Sequence, residues 1–392
     1  MALQLADFNL SDERREFRDT LRRFFEEHAP IAEARRVMES GEGLSESLWE
    51  RASEELGLAG IAIAEEFGGQ GFGLTELAIA LGETGRALAP VPLFASAALA
   101  ARVVQAVVGE GQAAEWLEPI AVGRVATLAW VEAKGRWDPA AVELTADPDG
   151  GGYRLTGEKH FVLAAPHAER FFIVARLPES QGDEGLGLFA VEAGAAGLAI
   201  EERETLDLTR PLSTIRLDGV AARAVGAVGL SGVAIRAGLD EATALLCSEM
   251  VGGMQVVLET AVDYATQRHQ FSRPIGSFQA IKHKCANLLI DFEASRTASD
   301  GAITALDQAD AERSLLASVA KSHIGPAYLR MTTENMQIQG GVGYTWEYDA
   351  HLYYRRALAS GALLGDASEH QERVARWVAV GGLGDVEVGA GQ

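Results

Sequence analysis

The chain has 392 residues, room for two or three domains of about 150 residues each, and its 34 Lys and Arg against 56 Asp and Glu leave a net charge of −22. That acidity excludes broad basic stripes for nucleic acid or anionic membrane. A hydrophobic content of 48% excludes a chain disordered throughout. The first 120 residues read as a helical domain. Ser11 followed by Asp12 and Glu13 caps an amphipathic run that puts Phe17, Leu21, Phe24 and Phe25 on one face. Phe67-Gly68-Gly69-Gln70-Gly71-Phe72-Gly73 is a loop, residues 74–88 a helix, Ala89-Pro90-Val91-Pro92 a stop, and 95–108 a further, Ala-rich helix.

The pattern changes at residue 121. Strands are expected over 125–131, 153–156, 160–163, 170–176, 186–192 and 198–202, separated by turn residues such as Asp147-Pro148-Asp149-Gly150-Gly151-Gly152. A β-barrel or sandwich domain over 121–231 follows. From 232 to 380 helical periodicity returns, with helices expected over 238–268, 276–306, 311–337 and 367–378. The second places Cys285, Leu288, Leu289 and Phe292 on one face. Residues 381–392 are Gly-rich and read as a frayed tail. The fold class is therefore α+β, helical then β then helical, without an internal repeat. Cys247 and Cys285, the only cysteines, allow no disulfide framework or paired-cysteine metal site, which fits a reducing compartment. No secretory leader pattern and no run of about 18 apolar residues is found, so a cytoplasmic protein is expected.

No phosphate-binding loop, dinucleotide fingerprint, HExxH or GxSxG occurs, and no metal site is expected. Two local patterns remain. Arg268-His269-Gln270-Phe271-Ser272-Arg273-Pro274-Ile275-Gly276 closes a long helix. Its Arg268 suits either a helix C-terminus or a phosphate clamp. Gln337-Ile338-Gln339-Gly340-Gly341-Val342-Gly343-Tyr344 is either a glycine cap or a place where a ligand approaches backbone.

With their spacing and the three-part layout, these segments resemble the acyl-CoA dehydrogenase family. There "R-x-x-F-G-x-x-I" and "Q-x-x-G-G-x-G-Y/F" recur about 70 residues apart. Ser272 stands here where the first segment usually has Gly, and Glu66-Phe67-Gly68-Gly69-Gln70-Gly71 matches the family's "PEEYGGxG" loop. The resemblance runs from about residue 10 to 377. It implies an N-terminal helical domain, a middle β-domain and a C-terminal four-helix bundle. It implies FAD as cofactor, an acyl-CoA substrate that loses a proton to a carboxylate and a hydride to flavin N5, and electron-transfer flavoprotein as an acceptor. It also implies an oligomer, either homotetrameric or built with a paralogous partner. By that resemblance Arg268, Gln270, Phe271, Gln337, Gly340 and Gly341 touch the diphosphate and adenosine part of a neighbour's FAD.

Two family segments depart from the pattern. "T-E-P-x-A-G-S-D", which bonds flavin ring and substrate, is here Val131-Glu132-Ala133-Lys134-Gly135-Arg136-Trp137-Asp138. "K-x-W-I-T", whose Trp covers the flavin and whose Thr bonds N5, is Lys159-His160-Phe161-Val162-Leu163. Phe161 keeps an aromatic for the ring face; Leu163 has no side-chain donor. The family's base, a Glu in "Y-E-G-T", maps to Leu364 counting from one side and Asp366 from the other. Asp366, the only carboxylate between Asp349 and Glu369, is taken as the base, with helix N-cap as its structural alternative. Some relatives carry the base on the preceding long helix. Ala242 occupies that position here, and Glu249 lies seven residues on, near the same face. Three readings stay open. The first is a self-sufficient dehydrogenase using Asp366. The second is a non-equivalent subunit of an α2β2 enzyme, as found among relatives acting on bulky, steroid-like acyl-CoAs. The third is a related flavin oxidase or monooxygenase.

Overall fold

The structure, a computed structural model, describes residues 10–108 and 113–380; the expectations for the start of the chain and for the tail at 381–392 fall outside them. Ser11 accepts from the Arg14 amide at 3.3 Å and starts α1 (Asp12–His28), which buries Leu21, Phe24 and Phe25. Helices α2 (Ile31–Ser40), α3 (Glu46–Leu56) and α4 (Leu74–Ala87) follow. A π-helical stretch, Phe94–Ala100, then runs into α5 (Ala101–Val108), and α6 (Ala114–Ala121) ends the first domain.

The middle domain is a mixed seven-stranded sheet. Its strands are β1 (Ala126–Ala129), β2 (Ala146–Asp149), β3 (Gly152–Leu163), β4 (Arg170–Arg176), β5 (Leu186–Glu192), β6 (Leu198–Arg203) and β7 (Leu212–Val225). The order is β1-β4-β5-β7-β3-β2, with β6 also on β7; only β1 and β4 run parallel. The expected strands at 153–156 and 160–163 are one strand, β3, bent by register shifts at Leu155/Gly157 and Lys159/Val162. Strands β2 and β7 were not foreseen. Pro148 sits in an edge strand, and Asp218-Gly219 interrupts the alternation of β7 with turn residues.

The C-terminal domain contains α7 (Gly232–Gln267), α8 (Gln279–Asp307), α9 (Arg313–Gln339), α10 (Ala350–Ala362) and α11 (Ala367–Ala379). Helix α9 packs against all four others. The expected bundle is thus augmented by α10, which lacks a clear apolar period. Helix α7 also packs on α4 with backbones nearly touching: a Cβ on Gly252 would lie 1.8 Å from the Gly82 carbonyl oxygen, so only glycine fits. Among the described residues α7 alone is long and apolar enough to cross a membrane, and most of its apolar window is buried inside the protein, as befits a core helix.

Candidate functional site

Short connections make α7, α8 and α9 run up, down and up, so α7 and α9 finish at the same end of the bundle; Asn335 Nδ2 ties them by donating to Thr260 Oγ1 at 3.2 Å. Beyond α7, His269–Gln270 pairs with Arg273–Pro274 (β8 and β9) through a two-residue turn. Phe271 (φ +52°) and Ser272 (φ +62°) both take left-handed backbone, as a hairpin turn of this type demands. The family's glycine at position 272 therefore has a physical reason, and Ser272 occupies it under strain. Phe271 is 87% exposed. The Arg268 side chain makes no hydrogen bond or ion pair among the described residues, and Gln270 is exposed. Beyond α9, Gly340 has φ +68°, and a Cβ on Gly340 or Gly341 would meet nothing within 4 Å. Gln337 donates to Tyr344 Oη at 2.5 Å.

The middle-domain segments are arranged differently. Glu132 accepts from the Glu143 and Leu144 amides, each at 2.9 Å, and from Lys159 Nζ at 2.8 Å; Lys159 also donates to the Trp130 carbonyl at 3.1 Å. Burial brings the Lys159 ammonium down to about 8, against the pull of Glu132. Burial raises the Glu132 carboxyl, but Lys159 outweighs it and holds the group below its ordinary range. These two residues brace the loop. Asp138 caps the turn at Pro139–Ala141 and pairs with Arg236 at 3.0 Å. Trp137 stands at the family's Ser position. Its indole lies 5.8 Å from the Phe161 ring at 35°, and 5.5 Å from Trp130 at 62°. Phe161 has φ +57°, an outlier for a bulky residue, at the β3 register shift. Leu163 is buried, and its carbonyl accepts from Thr127 Oγ1 at 2.7 Å.

Between this domain and the bundle lies a cavity of about 470 Å³ whose lining includes Trp130, Trp137, Leu239, Thr243, Leu364, Gly365 and His370, the carboxylates Asp138, Asp240, Glu369 and Glu372, and Arg236, Arg373 and Arg376. Each arginine is already paired, to Asp138, Asp240 and Glu372 respectively. Asp366, expected as the base, does not line this cavity. It is the N-cap of α11, accepting from the Glu369 amide at 2.9 Å while Glu369 reaches back to the Asp366 amide at 3.1 Å. The residues of this loop that wall the cavity are Leu364, held at φ +63°, and Gly365. Lys321 Nζ donates to the Gly361 and Gly365 carbonyls at 2.9 and 2.8 Å, and His370 Nε2 bonds the Leu364 carbonyl at 3.1 Å. Burial, with Lys321 and Arg373 nearby, pushes the His370 imidazole down to about 4, so it is neutral near pH 7.

Glu249, the other carboxylate considered, has Oε1 on arginines, while its Oε2 is buried without a hydrogen-bond partner. It is buried in α7 and bonded to Arg210, with Arg356 Nη1 at 3.5 Å. Arg356 in turn holds Asp207 at 2.6 Å and Thr209 Oγ1 at 2.6 Å. Two acids and two arginines thus form a neutral buried network that ties the β6–β7 connection to α7 and α10. Asp207, Arg210 and Arg356 escaped sequence reading because the partners lie 39 to 149 residues apart. No group of three or more His, Cys, Asp or Glu suited to a metal exists among the described residues.

Comparison with known proteins matches three family models in succession: acyl-CoA dehydrogenase N-terminal domain at residues 11–124, middle domain at 127–220 and C-terminal domain at 231–379. The acyl-CoA dehydrogenase IpdE2 of Mycobacterium tuberculosis is 31% identical over 93% of this chain and 96% of its own. The Tcur3481-Tcur3483 steroid ACAD is 32% identical with a TM-score of 0.85, covering 95% of this chain and 99% of that one. The ChsE4-ChsE5 complex of Mycobacterium tuberculosis is 25% identical with a TM-score of 0.85, covering 95% and 99%. FAD is the cofactor and oxidation of an acyl-CoA the chemistry that go with these matches. The residues fit FAD unevenly. The open glycines and the unengaged Arg268 suit a diphosphate, whereas in the segments that would meet the ring Trp137 packs on Phe161 and Leu163 has no side-chain donor. With three consecutive domain matches and a relative above 30% identity along nearly its full length, the chain is a divergent member of the acyl-CoA dehydrogenase family.

Proposed function

We propose that this chain is the non-equivalent subunit of a hetero-oligomeric acyl-CoA dehydrogenase. It lends Arg268, Gln270, Phe271, Gln337, Gly340 and Gly341 to the diphosphate and adenosine part of an FAD whose ring belongs to a partner chain. The partner supplies the carboxylate that takes the α-proton. One observation carries this reading: on the loop where the family's base is expected, the side chain at the cavity is Leu364 and the neighbouring Asp366 is engaged as a helix cap, while the carboxylates that do line the cavity, Asp138, Asp240, Glu369 and Glu372, are held by Arg236, Arg373, the Asp366 amide and Arg376 respectively. Phe161, the remaining aromatic of the flavin segment, faces Trp137 instead. The likeness to a complex of two named chains and to a steroid enzyme supports a two-chain assembly acting on a bulky, alicyclic acyl-CoA thioester.

The test has two arms. Purified alone, the chain is expected to be colourless; assembled with a relative that keeps the "T-E-P-x-A-G-S-D" and "Y-E-G-T" segments, the pair should carry one FAD. One FAD per chain in the isolated protein would overturn the reading. In the second arm, Asp366→Asn keeps an equally good cap while removing the carboxylate. Turnover per FAD should be unchanged, and a fall of a hundredfold or more would make Asp366 the base after all.

A further inference from the structure

We propose that Trp137 is a built-in substitute for the flavin ring, closing this chain's own ring slot to any isoalloxazine. The argument begins with Phe161. A bulky residue at φ +57° is strained, and the strain coincides with the Lys159/Val162 register shift. Together they turn the ring out of β3, leaving it 42% exposed. A side chain held outward at such cost is placed to present its face to something flat. What it meets is the Trp137 indole, 5.8 Å away and tilted by 35°, within the range of offset aromatic packing.

The loop bearing Trp137 is built to keep it there. The Gly135 amide donates to the Glu132 carbonyl at 2.8 Å, making a tight turn with Gly135 at φ +67°. Glu132 is anchored by Lys159. Trp130 Nε1 donates to the Trp137 carbonyl at 3.0 Å, and its ring meets the indole edge-on. The His160 amide donates to the Val131 carbonyl at 2.8 Å, so the loop and β3 are joined on the backbone as well. An indole fixed from two sides, at the position where the family has a small hydroxyl residue, supplies the apolar surface that an isoalloxazine would otherwise bury. The chain should accordingly fold and persist without flavin.

This proposal deepens the non-equivalent-subunit reading and rests on it for its biological meaning. It is tested separately, with lumiflavin, which has the tricyclic ring but no diphosphate and so does not sense Arg268 or the paired glycines. The isolated chain is titrated with lumiflavin while flavin fluorescence is followed. The wild type should give no saturable quenching. Trp137→Ser and Trp137→Leu, each checked for native far-ultraviolet circular dichroism, should bind at least tenfold more tightly than the wild type. Saturable uptake of one lumiflavin per wild-type chain would mean that the indole swings aside, and would overturn the proposal even if neither variant folded. Folded variants that bind no better than wild type would overturn it too. Either failure would leave the FAD count of the assembled pair free to judge the subunit reading.

Discussion

The end of the bundle and the face of the β-domain are finished in opposite ways. At the ends of α7 and α9, a guanidinium without a partner among the described residues, an exposed hairpin and two glycines with open space above them are left projecting. At residues 131–138 and 161–163, key side chains are engaged with one another: Glu132 with Lys159, Trp137 with Phe161, and Leu163 in the core. The contrast teaches that a family site can be divided by ownership. On the reading proposed above, groups that serve a neighbour's cofactor persist, and groups that would serve the chain's own are replaced by packing.

The largest effect expected on the closed side concerns His370, whose bond to the Leu364 carbonyl holds the cavity loop. Its imidazole lies near 4 in the folded chain against an ordinary 6.5. Between those values the unfolded chain binds the extra proton, so this contribution is complete above pH 6.5 and is lost as pH falls toward 4. The loss is about 3 kcal/mol at most. In urea unfolding, wild type should lose more stability than His370→Gln as pH falls from 6.5 toward 4; curves parallel throughout would remove His370 from the account.

On the open side, Arg268→Ala should weaken FAD binding by the assembled enzyme by roughly thirtyfold, the worth of a charge-assisted contact of about 2 kcal/mol. The melting temperature of the isolated chain should not move, because the side chain touches nothing it would miss. An unchanged FAD affinity would erase the contrast between the two regions. The smallest effect is local: Ser272→Gly relieves a left-handed serine and should stabilise the chain by about 0.5–1 kcal/mol in urea unfolding. A destabilised variant would show that the serine hydroxyl does more than fill the turn.

Much of the fold was legible. Ser11 announced α1, the glycines after Phe67 announced a loop, and strands β4 and β5 stood out because they are apolar and bounded by turns. Strand β7 was hidden because Asp218-Gly219 reads as a turn, and only pairing on both sides makes it a strand. Helix α10 was hidden because its buried residues include His351 and Arg356, polar groups that only distant partners such as Asp207 make tolerable inside. Of the candidate site, the segments at 268–276 and 337–344 stood out because both are contiguous motifs, and the structure brings them to the same end of the bundle. The role of Asp366 was not, since counting from two anchors cannot say which side chain enters a cavity and which turns back to cap a helix.

By itself the sequence determined the order of domains, the family and where the family's two contiguous motifs fall, because periodicity and contiguous motifs are local properties of a chain. Tertiary structure alone decided that Leu364 rather than Asp366 walls the cavity, that Glu249 is locked among arginines, and that Trp137 lies on Phe161. Those outcomes depend on which side chains meet in space, and burial, charge pairing and ring packing act between residues that the linear order keeps apart.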